Sequence, residues 1–209
     1  APPRPNRSTK VRQKENKEKE MTTREKYAPG PATGAQVRKN GDSDTWTLVL
    51  DRDLAHPPEK VWKALTDPAQ LHEWAPFDAD RSLATAGNTV KLTTVGAPGP
   101  HITETKIIRA DAPKVLEYNW GGGDIRWELK PSGNGTHLTL WANIGRRFIS
   151  MGAAGWHICI DVMDHLLSGD KIDRIVGPEA MQFEGWQRLN AEYAEQFGVG
   201  NPVRSTWTT

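Results

Sequence analysis

Cysteine is almost missing from this chain. Cys159 stands alone among 209 residues, which excludes a disulfide scaffold and a cysteine-built zinc cluster and fits a reducing, cytoplasmic compartment. No run of about 18 apolar residues occurs, so no membrane span is expected. The first residues are charged without an apolar stretch behind them, so no ordinary secretory signal is expected. A Gly-rich phosphate loop, an HExxH pair and a GxSxG elbow are all absent. Leu, Ile, Phe and Trp do not occur before Trp46. A segment that poor in apolar surface cannot offset its ordering entropy, so residues 1–43 are expected to be a disordered tail.

Net charge is also close to absent, at +1 from 27 Lys+Arg against 26 Asp+Glu. The balance hides an asymmetry. Residues 1–43 hold 11 basic and 5 acidic side chains, whereas 44–209 hold 16 and 21. The basic run from Arg4 to Lys19 has the charge of a nucleic-acid tail. It lacks interleaved aromatics on which single-stranded bases could stack, and it reads as a solvated extension. No nucleic-acid partner is expected for the folded body.

What the chain has in abundance is tryptophan: nine, against four Phe and three Tyr. Such a density of indoles suggests a core or pocket lined by them. The elements follow from periodicity. Trp46–Asp53 alternates as a strand. His56-Pro57-Pro58 ends it and opens a short helix carrying Val61, Trp62 and Leu65 on one face. Asp67-Pro68 repeats the device for a second short helix with Leu71 and Trp74. Strands are then expected at 81–85, 89–95, 101–109, 115–120, 124–130 and 136–143, joined by short Gly, Pro and Asn turns, hence antiparallel. Gly121-Gly122-Gly123 is one of these turns. After a loop at 145–152 the period becomes helical, with Trp156, Cys159, Ile160, Met163, Leu166 and Leu167 in one arc. His157, Asp161, Asp164 and His165 fall in the opposite arc. A last helix is expected over 179–197. A curved sheet needs its concave face covered, and between such a sheet and its helix there is room for a ligand.

The residues from Leu54 through Pro68, with Leu71, Glu73 and Trp74, resemble a known family. So do Val115 to Trp120, Asp124 to Leu129, Gly135 to Leu140, Ala154 to Asp161, and Tyr193, Gln196, Phe197 and Gly198. The chain resembles, over about 44–198, the bacterial homologues of the Hsp-90 ATPase activator, within the SRPBCC (START-like, birch-pollen-allergen-like) superfamily. The resemblance implies an α+β helix-grip fold: a curved antiparallel sheet of about six to seven strands around a long C-terminal helix, with two short helices after the first strand. It implies a domain at 44–198 with a C-terminal extension at 199–209. Superfamily members bind lipids, sterols or polyketides, some are cyclases, and some eukaryotic relatives are co-chaperones.

No pair of carboxylates, and no histidine beside a nucleophile, can be placed together from these residues, as acid–base or nucleophilic catalysis requires. His157, Asp161 and His165 have the i, i+4, i+8 spacing of a helical metal column. They lie in the polar arc, so they read as a solvent-facing ion-pair ladder. No metal and no cofactor is implied. The cavity wall is expected from Trp156, Trp127, Ile160, Met163, Trp120, Tyr118 and Trp141, and its mouth from Arg146, Arg147 and His157. Alternation alone leaves open which face of strand 136–143 meets the cavity. The reading is a non-catalytic, cytoplasmic binder of a hydrophobic or amphipathic small molecule. A cyclase using the same cavity and a chaperone-binding module are the alternatives.

Overall fold

The computed structural model describes residues 27–201. Residues 1–26 of the expected tail and residues 202–209 of the expected extension lie outside the described residues.

Strand β1 (Ala35–Lys39) pairs antiparallel with β2 (Thr45–Leu54). Alternation in β2 puts Trp46, Leu48 and Leu50 on the buried inner face. Helices α1 (Pro58–Thr66) and α2 (Pro68–Trp74) each begin on a proline, whose missing N–H costs nothing in a first turn. Asp67 caps α2, its Oδ1 accepting from the Ala69 N–H at 3.0 Å. Strands β3 (Phe77–Ala79), β4 (Thr89–Thr94) and β5 (Ile102–Lys106) form a three-stranded sheet. Strands β6 (Arg109–Asp111), β7 (Val115–Trp120), β8 (Gly123–Ser132) and β9 (Gly135–Gly145) complete a six-stranded sheet in the order β1-β2-β9-β8-β7-β6. A 3-10 turn at Arg146–Phe148 leads into the 20-residue α3 (Ile149–Ser168). The short α4 (Gly177–Ala180) and α5 (Glu184–Phe197) follow.

The result is the α+β helix-grip architecture. Every strand pairing is antiparallel. The inner face of the large sheet, with Leu140, Ala142, Tyr118 and Trp127, is buried, and α3 lies against it. Among the described residues no helix is long and apolar enough to cross a membrane.

Several sequence expectations change. The strand expected at 101–109 breaks into β5 and β6, and the helix expected over 179–197 is the short α4 followed by α5. The single meander is two sheets. The 81–85 segment is not a strand: its buried Leu83 packs inward and its N–H bonds the Thr66 carbonyl at 3.0 Å. The loop expected at 145–152 is a 3-10 turn and the first turn of α3, anchored by buried Ile149 and Ser150. Residues 27–43, expected to belong to the tail, pack on the body and include β1. Two forces invisible to composition hold residues 27–43. One is backbone pairing of β1 onto the open edge of β2. The other is a single aromatic anchor, Tyr27, which is buried, stacks on Phe183 at 6.0 Å and meets His165 edge-on at 5.9 Å. Its hydroxyl donates to Asp161 Oδ2 at 2.6 Å. At the other end, Val199 packs on the core and Asn190 Nδ2 donates to Asn201 Oδ1 at 3.0 Å, so 199–201 belongs to the body.

Replacing Tyr27 with Phe keeps the ring and removes the donor. Because Asp161 is then left short of a partner in a largely buried position, stability should fall by about 1–3 kcal/mol, read as a lower urea midpoint with unchanged slope. An unmoved midpoint would show that this bond does not hold the N-terminal strap.

Candidate functional site

The sheet and α3 do not meet at one end of the fold. They enclose a cavity of about 520 Å³ there, within the range of small-molecule sites. Sheet residues Trp120, Ile125 and Ile144 form one wall, and Met151, Gly152, Gly155, Trp156 and Cys159 of α3 form the second. Residues 175–177, Ala180, Met181 and Trp186 close the third. The turn at 121–123 borders the opening. Gly121 and Gly122 both take positive φ, 60° and 82°, which suits glycine and lets the backbone turn without a side chain. Phe148 and Met181 stand at the rim, 53% and 40% exposed.

Among the lining residues there is no Asp, Glu, His, Lys or Arg. The one titratable side chain is Cys159, whose thiol burial pushes up to about 12. At neutral pH it is an inert thiol rather than a nucleophile. The polar side chains in the lining are Thr45, Asn143 and the indoles of Trp120, Trp156 and Trp186, and several indole N–H groups in and behind the wall are already used. Trp120 donates to Thr94 Oγ1 at 3.1 Å, Trp127 to Tyr118 Oη at 3.1 Å and Trp74 to the Ala64 carbonyl at 3.0 Å. The N–H groups of Trp156 and Trp186 have no acceptor among the described residues, and neither is sealed inside the protein as that of Trp141 is. Both residues are more than nine-tenths buried and line the cavity. A ligand oxygen would satisfy a donor that a buried indole otherwise leaves unused.

The expected site residues separate into three groups. Trp120 and Trp156 line the cavity, edge to face with centroids 5.8 Å apart. Trp127, Tyr118, Ile160 and Met163 are fully buried one layer behind and do not reach it. Trp141 is on the other face of the sheet. Leu138, Leu140 and Ala142 take the inner side of β9, so alternation turns Trp141 outward, where the Arg38 guanidinium lies 4.4 Å from its ring. Arg146 and Arg147 are exposed in a hollow beside the mouth. His157 is not at the mouth at all, and the solvent-facing ladder holds only toward its C-terminal end, where the Asp164 and His165 side chains are half-exposed. Helix α5 and the strap around Tyr27 cover that side of α3, and His157 is 3% exposed. Among the described residues no group of three His, Cys, Asp or Glu is placed to hold a metal. The residues that sequence reasoning missed are chiefly Met151, Gly152, Gly155 and Trp186. Gly155, on the Trp156–Cys159 side of an apolar helix, was the available signal of empty space, whereas Gly152 lets Ile144 approach closely.

Behind α3, away from the cavity, His157 Nδ1 and the Tyr193 hydroxyl are 2.8 Å apart, and His157 Nε2 is 3.5 Å from Asp161 Oδ2. Burial, with Arg52 and Arg188 adding repulsion, lowers the His157 pKa to about 3. Burial raises that of Asp161, against the Tyr27 hydrogen bond. The unfolded chain therefore binds a proton at His157 near pH 6.5 that the folded chain refuses down to about 3. Stability should fall as pH drops through that window, by up to about 1.4 kcal/mol per unit. Asp161 acts the other way, since its ionised form is the disfavoured one and acid relieves that cost. Urea midpoints at pH 7, 6, 5 and 4 measure the net slope, and His157→Gln should flatten it. An equal slope in both proteins would place the acid sensitivity elsewhere.

Residues 45–157 match the model of a family described as polyketide cyclase / dehydrase and lipid transport. No curated protein matches the chain. Solved structures share its fold. A protein of unknown function from Enterococcus faecalis, EF2215, is 17% identical, with a TM-score of 0.59 over 78% of this chain and 89% of that one. CalU16 from Micromonospora echinospora is 20% identical, with a TM-score of 0.54 over 78% and 98%. MLL2253 from Mesorhizobium loti is 25% identical, with a TM-score of 0.51 over 60% and 99%.

Proposed function

The chain belongs to the polyketide cyclase / dehydrase and lipid transport family, and from that premise we propose that it binds an apolar or amphipathic small molecule in the cavity and releases it unchanged. The observation that carries this reading is the lining itself. It has apolar and aromatic walls, two unused indole donors, and no side chain able to give or take a proton near neutral pH. General acid–base catalysis needs such a group within hydrogen-bond reach of the reacting atom. Binding needs only shape, apolar area and a few fixed donors. Trp120, Trp156 and Trp186 are the contacts assigned to the ligand's body.

The narrower kinship with homologues of the Hsp-90 ATPase activator belongs to the same proposal. So do a cytoplasmic location, the absence of a nucleic-acid partner for the folded body, and a domain extending from the strap at Tyr27 to Asn201. A co-chaperone role draws less support, because Phe148 and Met181, two of the large apolar side chains that are exposed, are accounted for as the cavity rim.

Gly155 supplies the test. A Cβ built on it meets nothing within 4 Å, so a larger side chain there extends into the cavity instead of into packed protein. Leucine is also the better helix former, by about 0.8–1 kcal/mol. Gly155→Leu should therefore keep or raise the melting temperature while abolishing binding of a neutral apolar dye, Nile red, followed by its emission. Trp156→Phe should weaken carbonyl-bearing ligands by up to about tenfold and leave hydrocarbon ligands unchanged. Native mass spectrometry of the freshly purified protein should show a carried ligand. Dye binding that survives Gly155→Leu would sink the cavity reading. A ligand recovered chemically altered would move the function to the cyclase class.

A further inference from the structure

The cavity adjoins a second hollow. Gly145 and Phe148 line both, and Arg146, Arg147, Asp44 and residues 199–201 complete the outer one. We propose that the ligand is an amphiphile with an acidic head, its apolar body in the cavity and its anionic group outside on Arg146 and Arg147. This rests on the ligand-binding reading above.

The arginines themselves carry the argument. Arg81, Arg109, Arg126, Arg174 and Arg188 each pair with a carboxylate, and Arg52 donates to two backbone carbonyls. The other three arginines have no carboxylate partner among the described residues: Arg38 lies on Trp141 at the outer face of the sheet, and Arg146 and Arg147 share the second hollow with Asp44. Arg146 and Arg147 are held by aromatic rings instead. The Arg146 guanidinium lies 5.2 Å from the Trp46 ring, which Lys39 also approaches at 5.0 Å, and the Arg147 guanidinium lies 5.8 Å from Phe148. A guanidinium positioned by its face keeps its N–H edge available for a two-oxygen acceptor.

The cavity supplies the complement. It holds no cation, so a carboxylate or phosphate drawn fully inside would lose its hydration without a partner. The exposed pair just past Phe148 is where that group meets charge without desolvation. The rim residue Phe148 touches both compartments, so one molecule can occupy the two at once.

Three probes of equal chain length test this: dodecanoate, dodecyl phosphate and dodecanol, titrated below micelle formation against tryptophan emission. The wild-type protein should bind at least one of the anions about tenfold or more tightly than the alcohol, and the tighter anion identifies the head group. The double variant Arg146→Ala/Arg147→Ala should lose that preference while its dodecanol affinity stays within about twofold and its urea midpoint shows it folded. Gly155→Leu should lose all three. Equal binding of alcohol and acids by the wild-type protein, or an anion preference that survives the double variant, overturns the acidic head and leaves the cavity reading standing. Binding of none of the three by the wild-type protein overturns both.

Discussion

A closed circuit of aromatic rings holds this fold in register. Trp74 meets Trp127 edge-on at 6.0 Å, Trp127 meets Trp156 at 5.5 Å, and Trp156 meets Trp120 at 5.8 Å. Phe77 continues from Trp120 to Tyr118 at 5.4 and 6.0 Å. The Trp127 indole then donates to the Tyr118 hydroxyl and closes the loop. The five rings of the loop come from β3, β7, β8 and α3, and Trp74 joins it from α2 through Trp127, so one aromatic cluster ties both sheets and two helices together. Edge-to-face pairs add about 0.5–1.5 kcal/mol each beyond the area they bury. Their directionality matters more here, because a tilted ring cannot slide without losing two neighbours. The cavity opens beside this circuit, and Trp120 and Trp156 belong to both.

Helix α3 separates two environments. Toward the sheet it presents glycines, Met151, Trp156 and Cys159 to an uncharged space. Toward α5 it presents His157 and Asp161 to Tyr27 and Tyr193. The apolar side leaves room and the polar side is tightly bonded. The helix is thus anchored from behind, which allows its front to stay underpacked without the helix moving in to fill the gap.

Much of this was legible in the order of residues. The proline-started helices, the alternation in β8 and β9, and the apolar arc of α3 are local patterns, and each became the element it suggests. The cavity wall was legible only where a bulky aromatic marked it. Trp127 and Trp156 look alike in sequence, and only packing puts one behind the other. His157 misleads for a physical reason. Its arc is polar, but the residues that cover that arc, Tyr193 on His157 and Tyr27 on Asp161, come from 36 residues after His157 and 130 residues before it. Periodicity describes one helix at a time and carries no information about what covers its far side. The strap at 27–39 escaped notice because backbone pairing needs no apolar composition.

The pairing of β2 with β9 joins Leu54 to Thr136 at one end and Thr45 to Gly145 at the other. The central seam of the large sheet thus closes across most of the intervening chain. On a ribosome adding about 5–20 residues per second, β2 waits roughly 5–20 s for its partner. Through that interval its inner row of Trp46, Leu48 and Leu50 and one of its edges lack their final cover. Such long-range closure slows folding and leaves a sticky strand exposed while it is pending. The nascent chain is therefore at its most aggregation-prone before residue 145 has emerged, and the demand on holding chaperones falls in that stretch of synthesis.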